Sequence, residues 1–237
     1  MRLDKIAKQT GLFITFEGGE GVGKSTQIRL LAARLEAGGY TIKVVRDPGG
    51  TAIGEKIRAI LLNPAHTELD PMSELLLYEA ARAQLVAEHI CPALEEGIVV
   101  LCDRFTDSTW AYQGIARALG SDVIQRANAI GSKGLTPDRT IVLTRDVELA
   151  LKRASKDGAD RLEAEGIDFH TRVHGAFTAL AASEPNRVRL VENQSTKAAT
   201  AEFVFNELRD LFPEAAAIPF DITPELLQQI KKEKQEK

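Results

Sequence analysis

The sequence predicts an α/β protein of three layers, αβα, built around a five-stranded parallel sheet. Three observations carry that prediction. Short runs rich in β-branched residues alternate with longer helical patterns along most of the 237 residues. The middle runs are apolar on both alternations, as strands covered on both faces must be. A glycine-rich turn joins the first run directly to the first amphipathic helix.

The elements follow in order. LFITF (12–16), TIKVV (41–45), IVVLC (98–102), TIVLT (140–144) and RVRLV (187–191) read as the strands. After the glycine turn, Ile28, Leu31, Ala32 and Leu35 recur at i, i+3, i+4, i+7, and Gly38-Gly39 closes that helix. A helix follows the Pro-Gly-Gly turn at 48–50, and SELLLYEAARAQLVAEHI (73–90) is a long one. Residues 122–131, 147–155, 168–182 and 196–211 supply the rest. No linker divides residues 1–212, which read as one domain. Residues 213–237, punctuated by Pro213, Pro219 and Pro224, read as a C-terminal extension, a docked or frayed tail. Thr223-Pro224 can cap a last helix there.

Composition narrows the function classes. A net charge of −4, with no Lys/Arg block before the mixed KKEKQEK terminus, argues against a general nucleic-acid binder. Cys91 and Cys102 have neither C-x-x-C spacing nor a nearby His pair, so no zinc site or disulfide framework is expected. His170 and His174 are four apart but lack a third ligand pattern. No apolar run reaches membrane-spanning length and the N-terminus has no secretory h-region. A cytoplasmic protein with no membrane or nucleic-acid partner is the expectation.

The turn itself reads Gly18, four residues, then Gly23, Lys24 and Ser25, the G-x-x-x-x-G-K-[ST] pattern of a P-loop. Backbone N–H groups across Gly18, Gly19, Glu20, Gly21, Val22, Gly23, Lys24, Ser25 and Thr26 form an anion nest at a helix N-terminus. Lys24 reaches the β- and γ-phosphates of ATP or GTP, and the Ser25 hydroxyl ligates Mg²⁺. A glycine turn matching by chance is the competing reading, and the flanking strand and helix argue against it. No guanine-reading N-K-x-D is present, and the third strand runs into Asp103-Arg104-Phe105 rather than an acidic pair.

FEGGEGVGKST (16–26), RDPGGT (46–51), LLLYEAARAQ (75–84) and DRFTDSTWAYQG (103–114), in that order, resemble the bacterial thymidylate kinase family. The resemblance covers most of residues 12–211. It implies a nucleoside monophosphate kinase that moves the γ-phosphoryl of ATP to dTMP, giving dTDP and ADP, with Mg²⁺ as cofactor and a homodimer as the assembly. Residue by residue it implies that Arg46 and Arg58 hold the acceptor phosphate, where guanidinium forks suit the geometry; Arg104, at a strand's C-terminal end where open α/β sheets bind ligands, is expected to contact the acceptor phosphate or the transferring group. Tyr78 matches the aromatic that stacks on thymine, and Arg82, on the same helix face, matches the arginine bonded to its carbonyl. Thr109 and Gln113, with Ser108 beside them, match positions that read the pyrimidine edge. Tyr112 matches the ring that crowds C2′, and Glu20 the acidic residue that contacts the 3′-hydroxyl. Taken alone, each of these reads equally as core packing or a surface ion pair. Asp47 departs from the family, which carries glutamate in R-E-P-G-G; it is one methylene shorter, in a place suited to hold Mg²⁺ or an arginine.

Phosphoryl transfer demands positive charge at the γ-phosphate. The loop supplies none beyond Lys24, because Gly21 stands where members of the family it resembles carry an arginine. That sends the search to the charged, Gly-punctuated segment KRASKDGADRLEAEG (152–166), a lid carrying Arg153, Lys156 and Arg161. Arg153 and Arg161 are the favoured catalytic residues, with Lys24 and Arg104, because guanidinium binds phosphate bidentately. Asp103 holds a Mg²⁺ water ligand or orients Arg104. Two alternatives remain: another P-loop nucleotide or deoxynucleoside kinase, and a P-loop ATPase acting as a regulatory module.

Overall fold

The computed structural model describes residues 10–154 and 160–235. Five parallel strands, β1 (Phe13–Glu17), β2 (Ile42–Arg46), β3 (Val99–Asp103), β4 (Arg139–Thr144) and β5 (Val188–Glu192), lie in the order β2-β3-β1-β4-β5. Four of the strands begin and end one residue later than their apolar runs, and the added last residue is charged each time: Glu17, Arg46, Asp103 and Glu192. The hydrophobic pattern stops where the carboxyl edge of the sheet begins, and that edge is where open α/β sheets bind ligands. Across it, Arg46 pairs in register with Asp103, which also faces Phe16.

Strand alternation sorts the apolar side chains into two layers. Ile14, Phe16, Leu101 and Leu143 meet Ile28, Leu31 and Leu35 of α1 (Lys24–Ala37) and Phe205 of α9 (Lys197–Asn206). On the other face, Phe13, Val100 and Cys102 meet Leu85 of α3 (Pro71–Leu85), Ile90 of the π-helical turn that follows it, and Leu94 of α4 (Cys91–Glu95). Val142 and Val188 on that face pack with Phe169, Val173 and Phe177 of α8 (Ile167–Ser183). Each fully buried side chain of this kind contributes about 1.5–3 kcal/mol.

Local signals set the helix limits. Asp70 caps α3, its Oδ1 accepting from the N–H groups of Met72 and Ser73, with Pro71 at the first position. Thr51 does the same for α2 (Ala52–Leu62) through Gly54 N–H, and Thr196 for α9 through Ala199 N–H. The 103–114 motif forms a single α-turn, α5 (Thr106–Thr109), and widens into a π-helix at Trp110–Ala116, before α6 (Ser121–Gly131). α7 (Val147–Ala154) leads into residues 155–159, so Lys156 lies outside the described residues.

The C-terminal extension docks on α1, the helix that starts with Lys24. Ala215, in the short α10 (Pro213–Ala216), is wholly buried against Gly38, where an added Cβ would lie 2.7 Å from the Ala215 Cβ. Tyr40 stacks edge-on against Phe212 at 5.3 Å and its hydroxyl bonds Glu214. In α11 (Pro224–Gln235), Ile230 is buried and its carbonyl accepts from Arg29 Nη1 at 2.8 Å. Burial of Ala215 and Ile230 implies that deleting residues 213–237 costs about 2–4 kcal/mol. At ~2–4 °C per kcal/mol for a chain of this size, thermal unfolding is expected roughly 5–15 °C lower. An unchanged midpoint in a thermal melt would contradict the docking.

Candidate active site

Two clefts open at the carboxyl edge of the sheet and meet at Glu20 and Arg104. The first is the phosphate cleft. The P-loop that lines it departs from ordinary backbone at Gly18 (φ 123°), Gly21 (φ 67°) and Gly23 (φ 103°). Close packing reinforces this at Gly21, where a Cβ would sit 2.0 Å from the Ala150 carbonyl oxygen of α7. Helix α7 therefore rests directly on the loop, at the spot where a side chain would otherwise project. Lys24 is buried beneath the loop, donating to the carbonyls of Gly18 (3.2 Å) and Gly19 (2.8 Å). Burial, and then the Arg104 charge, push its ammonium pKa down. Ser25 Oγ donates to Asp103 Oδ2 at 3.1 Å, and both line this cleft. A hydroxyl and a carboxylate side by side are hard oxygen donors of the kind Mg²⁺ prefers, so the pair fits that ion.

Around the second cleft stand Glu20, Arg58, Tyr78, Arg82, Arg104, Ser108, Thr109, Tyr112 and Gln113; of the residues expected at the acceptor, only Arg46 lies elsewhere. Arg46 lines the phosphate cleft, its guanidinium paired with Glu55 at 2.8 Å. Arg58 lines both clefts and donates to the Pro48 carbonyl at 2.9 Å. Tyr112 is buried beside Phe169 and Phe177, with its hydroxyl 3.3 Å from Glu20 Oε1.

Arg104 occupies the junction. It adopts φ 71°, in the left-handed region that non-glycine residues rarely enter. Its Nη1 donates to Gly18 O and Ser108 Oγ, each at 3.0 Å, while Nη2 pairs with Glu20 and reaches the Tyr112 hydroxyl at 3.2 Å. Burial alone would raise the Glu20 pKa; Arg104 and Lys24 overcome it and hold the carboxyl down at about 2.

Two expected residues have other partners here. Every nitrogen of the buried Arg82 is engaged: Nε with Asp47 (2.7 Å), Nη1 with Glu79 (2.5 Å) and Asn128 (2.8 Å), Nη2 with the Phe105 carbonyl (3.2 Å) and Thr109 (2.6 Å). It walls the cleft as a structural tie between α3, α5 and α6. Asp47 thus holds an arginine, and burial, only partly offset by Arg82, pushes its pKa up. Arg161 is not brought to the phosphate loop. Its Nε donates to the Leu61 carbonyl at 2.8 Å and its Nη2 forms a buried ion pair with Glu74 at 2.5 Å. Of the two expected lid arginines, Arg153 lines the phosphate cleft and Arg161 does not. Arg153, in the last turn of α7, lines the phosphate cleft; burial, and then Arg145, lower its pKa.

Sequence reading missed three participants. Glu17, the last residue of β1, accepts from the Phe105 N–H at 2.7 Å and from the Ser108 hydroxyl, and so ties the Asp103–Ser108 turn to the P-loop. Glu74 gathers Gln113, Arg117 and Arg161. Asn193 donates to the Val22 carbonyl at 2.7 Å, in a groove shared with Arg145, Arg153 and Lys197. A polar residue at the end of an apolar strand was the available signal for Glu17 and Asn193; Glu74 had none.

Comparison with known proteins decides the family. The family model described as thymidylate kinase matches residues 16–203. The chain belongs to the thymidylate kinase family. It is 50% identical over 184 residues to the thymidylate kinase of Pelotomaculum thermopropionicum, covering 77% of this chain and 85% of that protein. With the thymidylate kinase of Geobacter sulfurreducens it shares 46% identity over 210 residues, 86% of this chain and 99% of the other. The crystal structure of thymidylate kinase from Ehrlichia chaffeensis superposes with a TM-score of 0.68 at 31% identity, over 84% of this chain and 98% of that one. Within a thymidylate kinase, the paired clefts separate the phosphate-binding loop from a pocket rich in arginine and tyrosine.

Glu17 supplies a test of the site's electrostatics. Burial, and then repulsion from Asp107, push its pKa up from 4.5 to about 8. The folded chain therefore keeps a proton that the unfolded chain has already released, and wild-type stability contributed here is lost as pH rises from about 4.5 through about 8. Glu17→Gln, which never ionises, is expected to gain stability relative to wild type between pH 6 and pH 9. Denaturant midpoints that differ by the same amount at both pH values would contradict that protonation state.

Proposed function

We propose that this chain phosphorylates dTMP with ATP by holding the donor triphosphate on the P-loop and the acceptor nucleotide in the Tyr78–Gln113 cleft. The reaction gives dTDP and ADP. The observation that carries the reading is the junction itself: Glu20 and Arg104 line both clefts, so two anionic substrates would meet beside one guanidinium.

On this reading the acceptor enters base first. The Tyr78 ring stacks on thymine, Thr109 and Gln113 meet its edge, and Tyr112 walls the sugar. Glu20 is held anionic, which suits acceptance of a hydrogen bond from the 3′-hydroxyl. Arg58 and Arg104 take the acceptor phosphate, with Arg46 at the rim of the neighbouring cleft. The attacking phosphate oxygen is already anionic near neutral pH, so no strong general base is required.

Donor phosphates lie along the Gly18–Thr26 nest, with Lys24 turning from the loop carbonyls to their oxygens. Ser25 and Asp103 would hold Mg²⁺, which when bound neutralises charge on the β- and γ-phosphate oxygens. Arg153 approaches the γ-phosphate from the lid, while Arg161 anchors the lid's far end against Glu74 and the Leu61 carbonyl. The groove between Asn193, Lys197 and Arg145 continues from the P-loop and is the place for the donor base.

We assign the homodimer contact to the outer faces of α2, α3 and α6. Ile53, Ile60, Met72, Leu76, Val123 and Ile130 are all exposed there, with Leu76 at 60% and Ile130 at 73%. Exposed large apolar side chains on three neighbouring helices favour burial against a second copy. A cytoplasmic location fits the cofactor and substrates, and no described helix is long and apolar enough to cross a membrane.

A coupled ADP-release assay with ATP, Mg²⁺ and a panel of nucleoside monophosphates tests the assignment; comparable rates with dCMP, dGMP or free thymidine would remove dTMP as the substrate. Within the same assay, Arg153→Ala is expected to lower kcat at least tenfold (about 1.4 kcal/mol) with little change in KM for dTMP. Arg161→Ala is expected instead to lower the unfolding midpoint, because it strips a guanidinium from a buried carboxylate. Wild-type kcat in Arg153→Ala would take the lid arginine out of the mechanism.

A further inference from the structure

Glu74 lies in the first turn of α3 and is wholly buried. Its Oε1 accepts from Gln113 Nε2 at 2.7 Å; its Oε2 faces Arg161 Nη2 at 2.5 Å and Arg117 Nη2 at 3.3 Å. Two guanidinium groups thus neutralise one carboxylate, and a carboxylate so held offers only lone pairs. Gln113 is itself almost fully buried, and it lines the acceptor cleft.

A primary amide has one donating end and one accepting end, and the two are fixed relative to each other. Facing a partner that only accepts, Gln113 must turn its NH2 toward Glu74. What remains for the cleft is its carbonyl oxygen, an acceptor. A thymine ring carries a hydrogen on N3 and can donate there. Cytosine carries a bare lone pair at N3, which would oppose the Gln113 oxygen. A site built to satisfy one hydrogen-bonding pattern rejects its complement strongly, because the buried partners are left unmatched.

We propose that Glu74 is a positioning residue for pyrimidine specificity: it locks the Gln113 amide with its acceptor end toward the nucleotide, and so selects a base that donates at N3. The proposal deepens the dTMP kinase reading and rests on it. Glu74 touches neither substrate, and acts only through Gln113. The same carboxylate holds the far end of the lid through Arg161, so the base-reading amide and that end of the lid share one anchor.

Glu74→Gln is the informative change, because an amide at 74 can donate as well as accept and lets Gln113 turn over. ADP release is measured for the full chain with ATP and either dTMP or dCMP. The ratio of kcat/KM for dTMP over dCMP is expected to fall at least tenfold in Glu74→Gln, through a higher KM for dTMP and a lower one for dCMP. KM for ATP should stay within threefold. An unchanged ratio, with both nucleotides slowed in parallel, would overturn the proposal and leave Glu74 a purely structural residue. Equal activity on both nucleotides in the wild type would overturn the dTMP reading itself, a separate and distinguishable failure.

A measurement on the wild-type chain covers the case in which Glu74→Gln does not fold. The Gln113 side-chain NH2 protons, observed by NMR without nucleotide, should exchange with water at least tenfold more slowly than those of the exposed Gln125. They should shift little when dTMP is added. Fast exchange, or protons that become protected only with dTMP, would mean that the donor end faces the nucleotide and would overturn the proposal.

Discussion

The Arg104 guanidinium joins the P-loop to the cleft lined by Tyr78 and Gln113, and both depend on where it is held. Its reach from Gly18 O to Ser108, Glu20 and Tyr112 requires the backbone to leave β3 at a positive φ. A non-glycine residue in that region costs roughly 1–2 kcal/mol. Neighbouring bonds hold it there: Arg104 N–H donates to the Phe16 carbonyl at 2.9 Å and Phe105 N–H to Glu17 at 2.7 Å. The strain is located at a residue that lines both clefts, where pre-set geometry matters most for charge stabilisation in transfer.

Buried charge is handled in clusters. Glu74 is shared by Arg117, Arg161 and Gln113; Arg82 is shared by Asp47 and Glu79; Asp107 is gripped by Arg187 at 2.7 and 3.0 Å. In low dielectric, removing one member leaves its partners desolvated, so each cluster fixes geometry more than it adds stability. The Arg82 cluster walls the cleft that Tyr78 lines, and the Glu74 cluster reaches it through Gln113. The phosphate loop, in contrast, is shaped by glycine backbone and by close approach of α7. One side of the site is rigid through side-chain ions, the other through main-chain fit.

That division explains what the sequence made legible. The five strands and the P-loop are local patterns, and each appears at its place in the structure. Apolar runs marked strand bodies but stopped before Glu17, Arg46 and Asp103, because the carboxyl edge serves ligands rather than the core. Widening of the 110–116 segment to a π-helix left no trace in its pattern of apolar residues. Arg82 was singled out by the resemblance and Arg161 by its place in a charged segment, yet their partners come from chain positions as distant as Asp47, Asn128 and Leu61. A guanidinium bound to carboxylates and one awaiting a phosphate look alike in sequence. Only the fold distinguishes them.

The central claim is that Arg104 couples the two substrates, and Arg104→Lys tests it most directly. Lysine keeps the charge but cannot span four partners at fixed angles. Rapid-quench single turnover with saturating ATP and dTMP should show phosphoryl transfer slowed at least 100-fold, a loss of about 2.7 kcal/mol of transition-state stabilisation. ATP affinity measured in the same protein should stay within threefold of wild type. Transfer at the wild-type rate in a folded Arg104→Lys chain would contradict the account.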